Sequence, residues 1–481
     1  MVLRLADGTA MTLDFREKAP LKAHERMFQD EQGKVIPRAS LDGSLAAGVP
    51  GSVDGLLTAH NRYGHLTLEK VMAPAIRLAE KGFPITRKQA DALNRYRDDF
   101  LKANKGIPVP FVKEEPWRQG DTLAQPELAA TLKAIRDYGR EGFYGGWVAE
   151  ALIRQMEKGE GWITREDLRQ YRAVWRKPVR GEFKEYSIIS MPPPSSGGVA
   201  LIQLLHMVEP YPLSEWGWNT PMSVNLMVEA EKRVYADRAK YLGDPDFVKV
   251  PVEELISREY CLRRMRVFRP GKMIPSDSIA AGDPYPYESE ETTHYSIVDG
   301  EGNAVSVTTT LNRSYGNKVV VEGAGFLLNN EMDDFSIKPG YPNSFGLVGG
   351  KANAIAPGKR MLSSMTPTIV EKEGKLFMVV GSPGGSTIIT SVFQTILNVT
   401  EHGMGMQEAV NAGRFHHQWR PDMIFYEQKA FSPSDTVELV RMGYRLKKRT
   451  SIGRVDAIRV SSGRSLEGGA DPRGDDMVAG Y

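Results

Sequence analysis

The chain has 481 residues, 41% hydrophobic and 25% charged, with a formal net charge of +2. That length buries a large core, and the near-balanced charge offers no electrostatic argument for a nucleic-acid partner. No run approaches the roughly 18–20 apolar residues that cross a bilayer, and a single cysteine, Cys261, excludes an intramolecular disulfide and a Cys-based zinc site.

The chain opens in a strand-like run, Met1–Ala6, with no signal peptide in the sequence as given. Asp7-Gly8 turns it into the alternating stretch Ala10–Arg16, which predicts a hairpin. Arg16, at the strand end, is most simply a solvated charge, although its planar fork also suits bidentate capture of a carboxylate. Ala46–Gly51 predicts close backbone packing. From Leu66 to about Asp246 the pattern is mainly helical, with helices over Leu66–Lys81 and Pro126–Tyr138 and a capping box from Thr164 to Asp167. The short strand Tyr186–Met191 breaks at Pro192-Pro193-Pro194-Ser195-Ser196-Gly197-Gly198 before the helix Val199–Val208, a joint that could face a site but is more simply a rigid turn. Cys261 falls in the basic, helix-like run Arg258–Arg264 and is read as a buried thiol rather than a catalyst. Asp283–Glu291, rich in acids and prolines, reads as an exposed linker, where a cut in the chain is tolerated.

The linker runs into Thr292-Thr293-His294-Tyr295-Ser296-Ile297-Val298, a strand, then the turn Asp299–Asn303 and a second strand, Ala304–Thr310. A hairpin closed by that turn sets Val298 opposite Ala304 and, by a constant index sum, Thr292 opposite Thr310. Directly opposed Cβ atoms are about 5 Å apart, so the two hydroxyls reach one another. A one-residue slip would turn one of them to the other face. Threonine needs a base to become a nucleophile. His294 shares a face with Thr292 but has no evident partner acid. A threonine freed at a chain terminus supplies its own base, an α-amine of pKa about 7.7–8.0. That route requires a cut between Glu291 and Thr292; ordinary β-branched strand filler is the bland alternative.

Beyond the hairpin, Asn329-Asn330-Glu331-Met332-Asp333-Asp334-Phe335 crowds three carboxylates, a solvated turn or helix-start motif or else a cradle for an ammonium group, without the ligand spacing of a calcium loop. Pro339–Lys359 is long and rich in Gly, Pro and Asn, as lids are. Its Gly346–Lys351 run lacks the spacing of a phosphate loop, with Ala352 where Ser or Thr is needed. Leu362–Met365 leads into the hairpin Thr368–Val370 with Leu376–Val380. Gly381-Ser382-Pro383-Gly384-Gly385-Ser386 then opens the helix from Thr387 to about His402. Bare amides at such a strand-to-helix turn are what an oxyanion hole needs; a tight turn that demands glycine is as good an explanation. His416-His417 point to different sides of any regular element, without an evident third ligand, so packing is favoured over a metal.

Taken together, Thr292–Ser296, Thr310-Leu311-Asn312, Leu327–Ser336, Leu362–Met365, Gly381–Ser386 and Pro192–Gly198 resemble the γ-glutamyltranspeptidases, members of the N-terminal nucleophile hydrolase superfamily. The motifs stand in the family's order and span essentially the whole chain. The resemblance implies an α+β fold, the αββα four-layer sandwich. It also implies a proenzyme that cuts itself between Glu291 and Thr292 into a large region, 1–291, and a small catalytic region, 292–481, which stay associated in one intertwined fold. Thr292 would be the nucleophile, Thr310 its orienting partner, and Gly384 and Gly385 the oxyanion hole. The donor's α-carboxylate would meet Arg16, Ser363 and Ser364, and its ammonium Asn312, Glu331 and Asp334. Substrates would be glutathione and related γ-glutamyl amides, with water, amino acids or peptides as acceptors and no metal or organic cofactor. A periplasmic or secreted location is implied, as is a further family segment before the position of Met1, so that 1–291 is expected to be N-terminally incomplete. Phe345 stands where many bacterial members carry a lid tyrosine, keeping the ring without its hydroxyl. The alternatives are a glutaryl-type amide acylase, disfavoured by the ammonium-binding set, and an uncleaved, non-catalytic scaffold.

Overall fold

The computed structural model describes residues 1–280, 292–344, 346–347, 349–461, 463 and 465–481. The whole expected linker (283–291), Glu291 included, and the lid residue Phe345 lie outside the described residues. Two sheets organise the rest. Their strands, in chain order, are β1 (Val2–Arg4), β2 (Ala10–Asp14), β3 (Val174–Arg176), β4 (Val179–Phe183), β5 (Tyr186–Ser190), β6 (Thr293–Val298), β7 (Ala304–Thr309), β8 (Thr368–Lys372), β9 (Lys375–Gly381), β10 (Asp456–Val460) and β11 (Leu466–Gly469). One sheet has the order β3-β2-β1-β7-β6, the other β11-β10-β9-β8-β5-β4. Strands from both sides of residue 292 therefore share hydrogen bonds in each sheet.

Side-chain alternation sorts the strands onto faces. Val2, Ala304, Ile189, Ile369 and Val379 meet in one apolar cluster that draws on both sheets. Their neighbours in sequence point the other way. Leu3 and Val307 join Leu13 and Phe15 in a second cluster, with Ala59 and Tyr63 of helix α1 (Ser52–Tyr63) packed against it. Ile188, Val370, Met378 and Val380 join the main core with helices α2 (Gly197–Val208), α3 (Pro221–Tyr241) and α4 (Thr387–Thr400). Ser306 ties the sheets across the first cluster, donating to Val380 O at 3.1 Å and accepting from Thr368 N at 3.1 Å.

Local signals place the element ends. Thr67 caps a helix that runs Leu68–Lys81 and stops at Gly82, so the helix starts two residues later than its apolar pattern predicts. Pro126–Tyr138 is helical as predicted, and the Thr164–Asp167 capping box opens Arg165–Gln170. Cys261 is buried in the helix Arg258–Met265. The glycine-bearing run before α1 does pack closely: a Cβ on Gly51 would overlap Phe15 O and Tyr171 Oη. Helix α3 is different in kind, because its residues from Ser223 to Ala239 are all buried, charged ones included. A helix without a polar face belongs inside a core, and its charges need partners there. Glu229 accordingly pairs with Lys232 at 3.2 Å and with Arg233 at 2.8 Å. Among the described residues, no helix is long and apolar enough to cross a membrane.

Candidate active site

The hairpin register follows from its turn. Asp299 Oδ1 accepts from Glu301 N at 3.0 Å and Asn303 N at 2.8 Å, closing the loop so that Val298 faces Ala304 and Thr293 faces Thr309. One step further, Thr292 lies across from Thr310, and Thr292 Oγ1 donates to Thr310 Oγ1 at 3.5 Å, the long limit of a hydrogen bond. Thr310 Oγ1 also accepts from Asn312 N at 2.8 Å. His294 is buried on the same strand, bonded through Nδ1 to Thr308 Oγ1 (2.9 Å) and Nε2 to Ser296 Oγ (3.1 Å). Burial pushes its pKa down to about 3, so it is a neutral ring held by hydroxyls rather than by an acid. The sequence-level objection to His294 as a base therefore holds.

Arg16, Glu331 and Asp334 come together from positions more than 300 residues apart. Arg16 Nη1 lies 2.5 Å from Glu331 Oε2, Nη2 bonds Asp334 Oδ2, and Glu17 sits 3.5 Å away. Residues Glu331–Asp334 form a short 3-10 turn whose first three side chains are buried, so this acidic run is no solvated turn. Burial drives the carboxyl pKa values up and Arg16 pulls them back, leaving Asp334 at about 6, Glu17 at about 7 and Glu331 well above its ordinary value. Burial alone would lower the Arg16 pKa; the three carboxylates reverse that and hold it raised. The guanidinium and the acids expected to grip opposite ends of one ligand are thus paired with each other here. Two buried acceptors beside them, Asn312 Oδ1 and Glu331 Oε1, have no hydrogen-bond partner among the described residues. Asn312 itself is held by its Nδ2, which donates to Asn330 O at 2.8 Å, one residue before Glu331.

Ser363 and Ser364 are fixed from behind by the Pro/Ser/Gly turn. Ser363 O accepts from Ser196 N at 2.8 Å and Ser196 Oγ at 2.7 Å, while Ser363 N donates to Pro194 O at 3.0 Å. Ser195 Oγ donates to Met365 O at 2.6 Å. A Cβ on Gly197 would overlap Met365 O, which is why the turn ends in glycine. So the turn is rigid, as favoured, and it also braces a site loop, in line with the alternative that such a joint faces a site. Sequence reasoning missed Arg238 on α3, which donates through Nε to Ser196 Oγ (2.9 Å) and through Nη2 to Ser364 Oγ (3.1 Å). It carried no signal of its own, being one of several charges in the same helical stretch. Glu17 was also missed. Arg16, Glu17, Thr310, Ser195, Ser363 and Met365 line one cleft.

Gly384 and Gly385 have φ of +133° and +52°, the left-handed half of the map that favours glycine. The Gly384 carbonyl accepts from Thr387 N (2.9 Å) and Thr387 Oγ1 (2.8 Å), so it points into the start of α4. In a trans peptide the next amide points the opposite way, which turns Gly385 N–H away from the helix. Neither glycine amide has a hydrogen-bond partner among the described residues. The loop begins at Gly381, which packs against the His294 ring so closely that any Cβ there would overlap it. That contact brings the loop to the strand that starts at Thr292.

The lid-like stretch is tied to the same acids: Asn343 Nδ2 donates to Asp334 Oδ1 at 3.2 Å and Ser344 N to Asp333 Oδ2 at 2.8 Å. Among the described residues no cluster of His, Cys, Asp and Glu fits a metal ion. His416 and His417 bond Thr390 and Asp422 respectively, in keeping with the packing role expected of them.

The gamma-glutamyltranspeptidase family model matches residues 1–481. The glutathione hydrolase proenzyme of Escherichia coli (strain K12) is 46% identical, over 100% of this chain and 83% of its own length. Among solved structures, cephalosporin acylase from Bacillus halodurans is similar with a TM-score of 0.83 at 25% identity, covering 100% of this chain and 86% of that one. Helicobacter pylori gamma-glutamyltranspeptidase matches with a TM-score of 0.57 at 45% identity, over 58% of this chain and 80% of that one.

Proposed function

This chain belongs to the γ-glutamyltranspeptidase family, and from that premise we propose that it is a self-processing γ-glutamyl transferase and hydrolase acting on glutathione and related amides. Cleavage between Glu291 and Thr292 frees the Thr292 α-amine, which takes the proton from Thr292 Oγ1 as that oxygen attacks the γ-carbonyl carbon. Thr310 orients the attacking hydroxyl. The Gly384 and Gly385 amides receive the oxyanion, stabilising charge that develops only in the transition state. The amine passes its proton to the departing nitrogen, leaving a γ-glutamyl ester on Thr292. Water then releases glutamate, or an amino-acid or peptide amine takes the γ-glutamyl group. No step calls for a metal or organic cofactor. The pieces 1–291 and 292–481 remain one intertwined αββα sandwich, supported by the apolar cluster between the sheets and the helices on their outer faces. A periplasmic or secreted setting belongs to the same proposal.

One observation carries the substrate class. Arg16 faces Glu331 and Asp334, with the partnerless acceptors Asn312 Oδ1 and Glu331 Oε1 beside them, which complements a zwitterion. An α-amino-acid end exchanges into such a cluster, its carboxylate to Arg16, Ser363 and Ser364 and its ammonium to Asn312, Glu331 and Asp334. A glutaryl group brings no ammonium and would leave these buried acids uncompensated. The test is intact mass of the purified protein and of Thr292→Ala, together with turnover of γ-glutamyl against glutaryl anilides. Expected are two pieces divided before Thr292, a single uncut chain for Thr292→Ala, and preference for the γ-glutamyl donor. A wild-type chain that stays whole, or one that prefers the glutaryl anilide, would overturn the proposal.

A further inference from the structure

Arg238 is a buried cation in an unusual position. It lies near the C-terminal end of α3 with 5% of its surface exposed, and among the described residues no carboxylate is within ion-pair distance. Other arginines buried nearby are paired: Arg233 with Glu229 at 2.8 Å, and Arg360 with Asp14 at 3.3 Å. A desolvated guanidinium without an anion is costly, and proteins tolerate one where a ligand supplies the missing charge. Its five N–H donors are arranged as a planar fork suited to oxygen acceptors. Two donors reach hydroxyls, Nε to Ser196 Oγ at 2.9 Å and Nη2 to Ser364 Oγ at 3.1 Å.

Those hydroxyls are connected. Ser196 Oγ, accepting from Arg238, donates onward to Ser363 O at 2.7 Å. Ser364 Oγ, accepting from Arg238, has its own proton left to donate. A hydroxyl that accepts from a cation is polarised, and the bond it donates is strengthened. The charge count points the same way. Arg16 alone stands against Glu17, Glu331 and Asp334, which leaves the site short of positive charge toward an incoming carboxylate. Burial lowers the Arg238 pKa to about 10 against the opposing pull of Tyr235 and Asp334.

We propose that Arg238 is a positioning residue for the donor α-carboxylate, a second cation that acts through Ser364 Oγ and, by way of Ser196, through the Ser363 backbone. It rests on the γ-glutamyl donor reading above. Arg16 would meet the carboxylate directly, at the cost of loosening its ion pairs with Glu331 and Asp334; Arg238 has no such competing partner. Its charge is therefore available to the carboxylate from the outset, while the acids freed from Arg16 turn to the ammonium.

The test compares two donors on wild type and Arg238→Lys, which keeps the charge and loses the fork. One is a γ-glutamyl anilide; the other is a 4-aminobutanoyl anilide, the same amide without the α-carboxylate. A charge-assisted hydrogen bond corresponds to about 10- to 100-fold in affinity. In Arg238→Lys the kcat/KM ratio between the donors should fall by about that factor, chiefly through a higher KM for the γ-glutamyl donor. Ser364→Ala should lower the same ratio, and adding Arg238→Lys to it should change little more, since the two act through one contact. Equal losses on both donors would mark a purely structural role and overturn the inference, as would an unchanged ratio or full additivity with Ser364→Ala. Wild type that turns over neither donor would instead overturn the functional reading, and this inference with it.

Discussion

Asn312 donates its backbone amide to Thr310 Oγ1 at 2.8 Å, and Thr292 Oγ1 donates to the same oxygen at 3.5 Å. The first bond fixes the Thr310 side chain, and the fixed oxygen then sets the direction of the Thr292 hydroxyl. Asn312 adopts φ of +74° to make this turn out of β7, a conformation that asparagine tolerates better than most residues. One residue thus links the hydroxyl pair to the acidic cluster. Thr310→Ala removes the acceptor. Loss of a neutral hydrogen bond of about 1 kcal/mol predicts about fivefold to tenfold slower self-cleavage and acyl transfer. Thr310→Ser should retain most of both rates, followed by intact mass over time and by initial velocities.

The acid cluster makes both donor binding and stability depend on pH. Asp334 titrates at about 6 and Glu17 at about 7, raised by burial against the pull of Arg16. Raised carboxyl pKa values mean that the folded protein holds protons the unfolded chain has released. Stability contributed by these groups is therefore greatest below the ordinary values of 3.8 and 4.5 and falls as pH rises to about 7. Glu17→Gln should flatten that decline in Tm, whereas an unchanged slope would remove Glu17 as its source. Over the same window the acids gain the charge that attracts an ammonium, so KM for a γ-glutamyl donor should fall as pH rises through about 6.

Gly384→Ala tests the amide loop. A Cβ there would stand 2.6 Å from Thr387 Oγ1 and 3.0 Å from Gly453 Cα, on a backbone at φ +133°. The loop must shift, and losing one oxyanion donor typically costs about 10²–10³ in kcat. Substrate KM should change far less. A variant with kcat within twofold of wild type would exclude these amides from the chemistry.

Gly381→Ala reaches the nucleophile strand by another route. The added methyl overlaps the His294 ring, which is buried and bonded on both nitrogens. Displacing it moves β6 two residues from Thr292, with an overpacking cost of about 1–3 kcal/mol. The expected outcome is a folded protein that remains largely uncut, checked by circular dichroism alongside intact mass.

Local chemistry made the Thr292 register legible from sequence: the five-residue turn is closed by Asp299, and strand pairing counts outward from it. The capping box at Thr164 and the close packing at Gly51 were readable for the same reason. Glu331 and Asp334 read as a solvated turn, a helix start or an ammonium cradle until the fold buried them against Arg16, a contact that no local pattern encodes. Arg238 was hidden differently. Periodicity marks a buried face, but α3 is buried all round, so nothing in its spacing separates a structural charge from one aimed at a site. The Pro192–Gly198 turn was legible as a turn, while its load, the Ser363 loop, lies some 170 residues away.

The interleaving of the sheets has a consequence for how the molecule is assembled. Three strands of the five-stranded sheet precede residue 292 and two follow it; in the six-stranded sheet, two precede and four follow. The proposed break before Thr292 would sever one covalent bond while every ladder that crosses the divide stays closed. Made separately, the 1–291 fragment would display raw sheet edges along β1 and β5, and the 292–481 fragment along β7 and β8, which invite mispairing. The single precursor acts as an internal template. It brings both sets of strands to one place at fixed stoichiometry and seals those edges before the proposed cut.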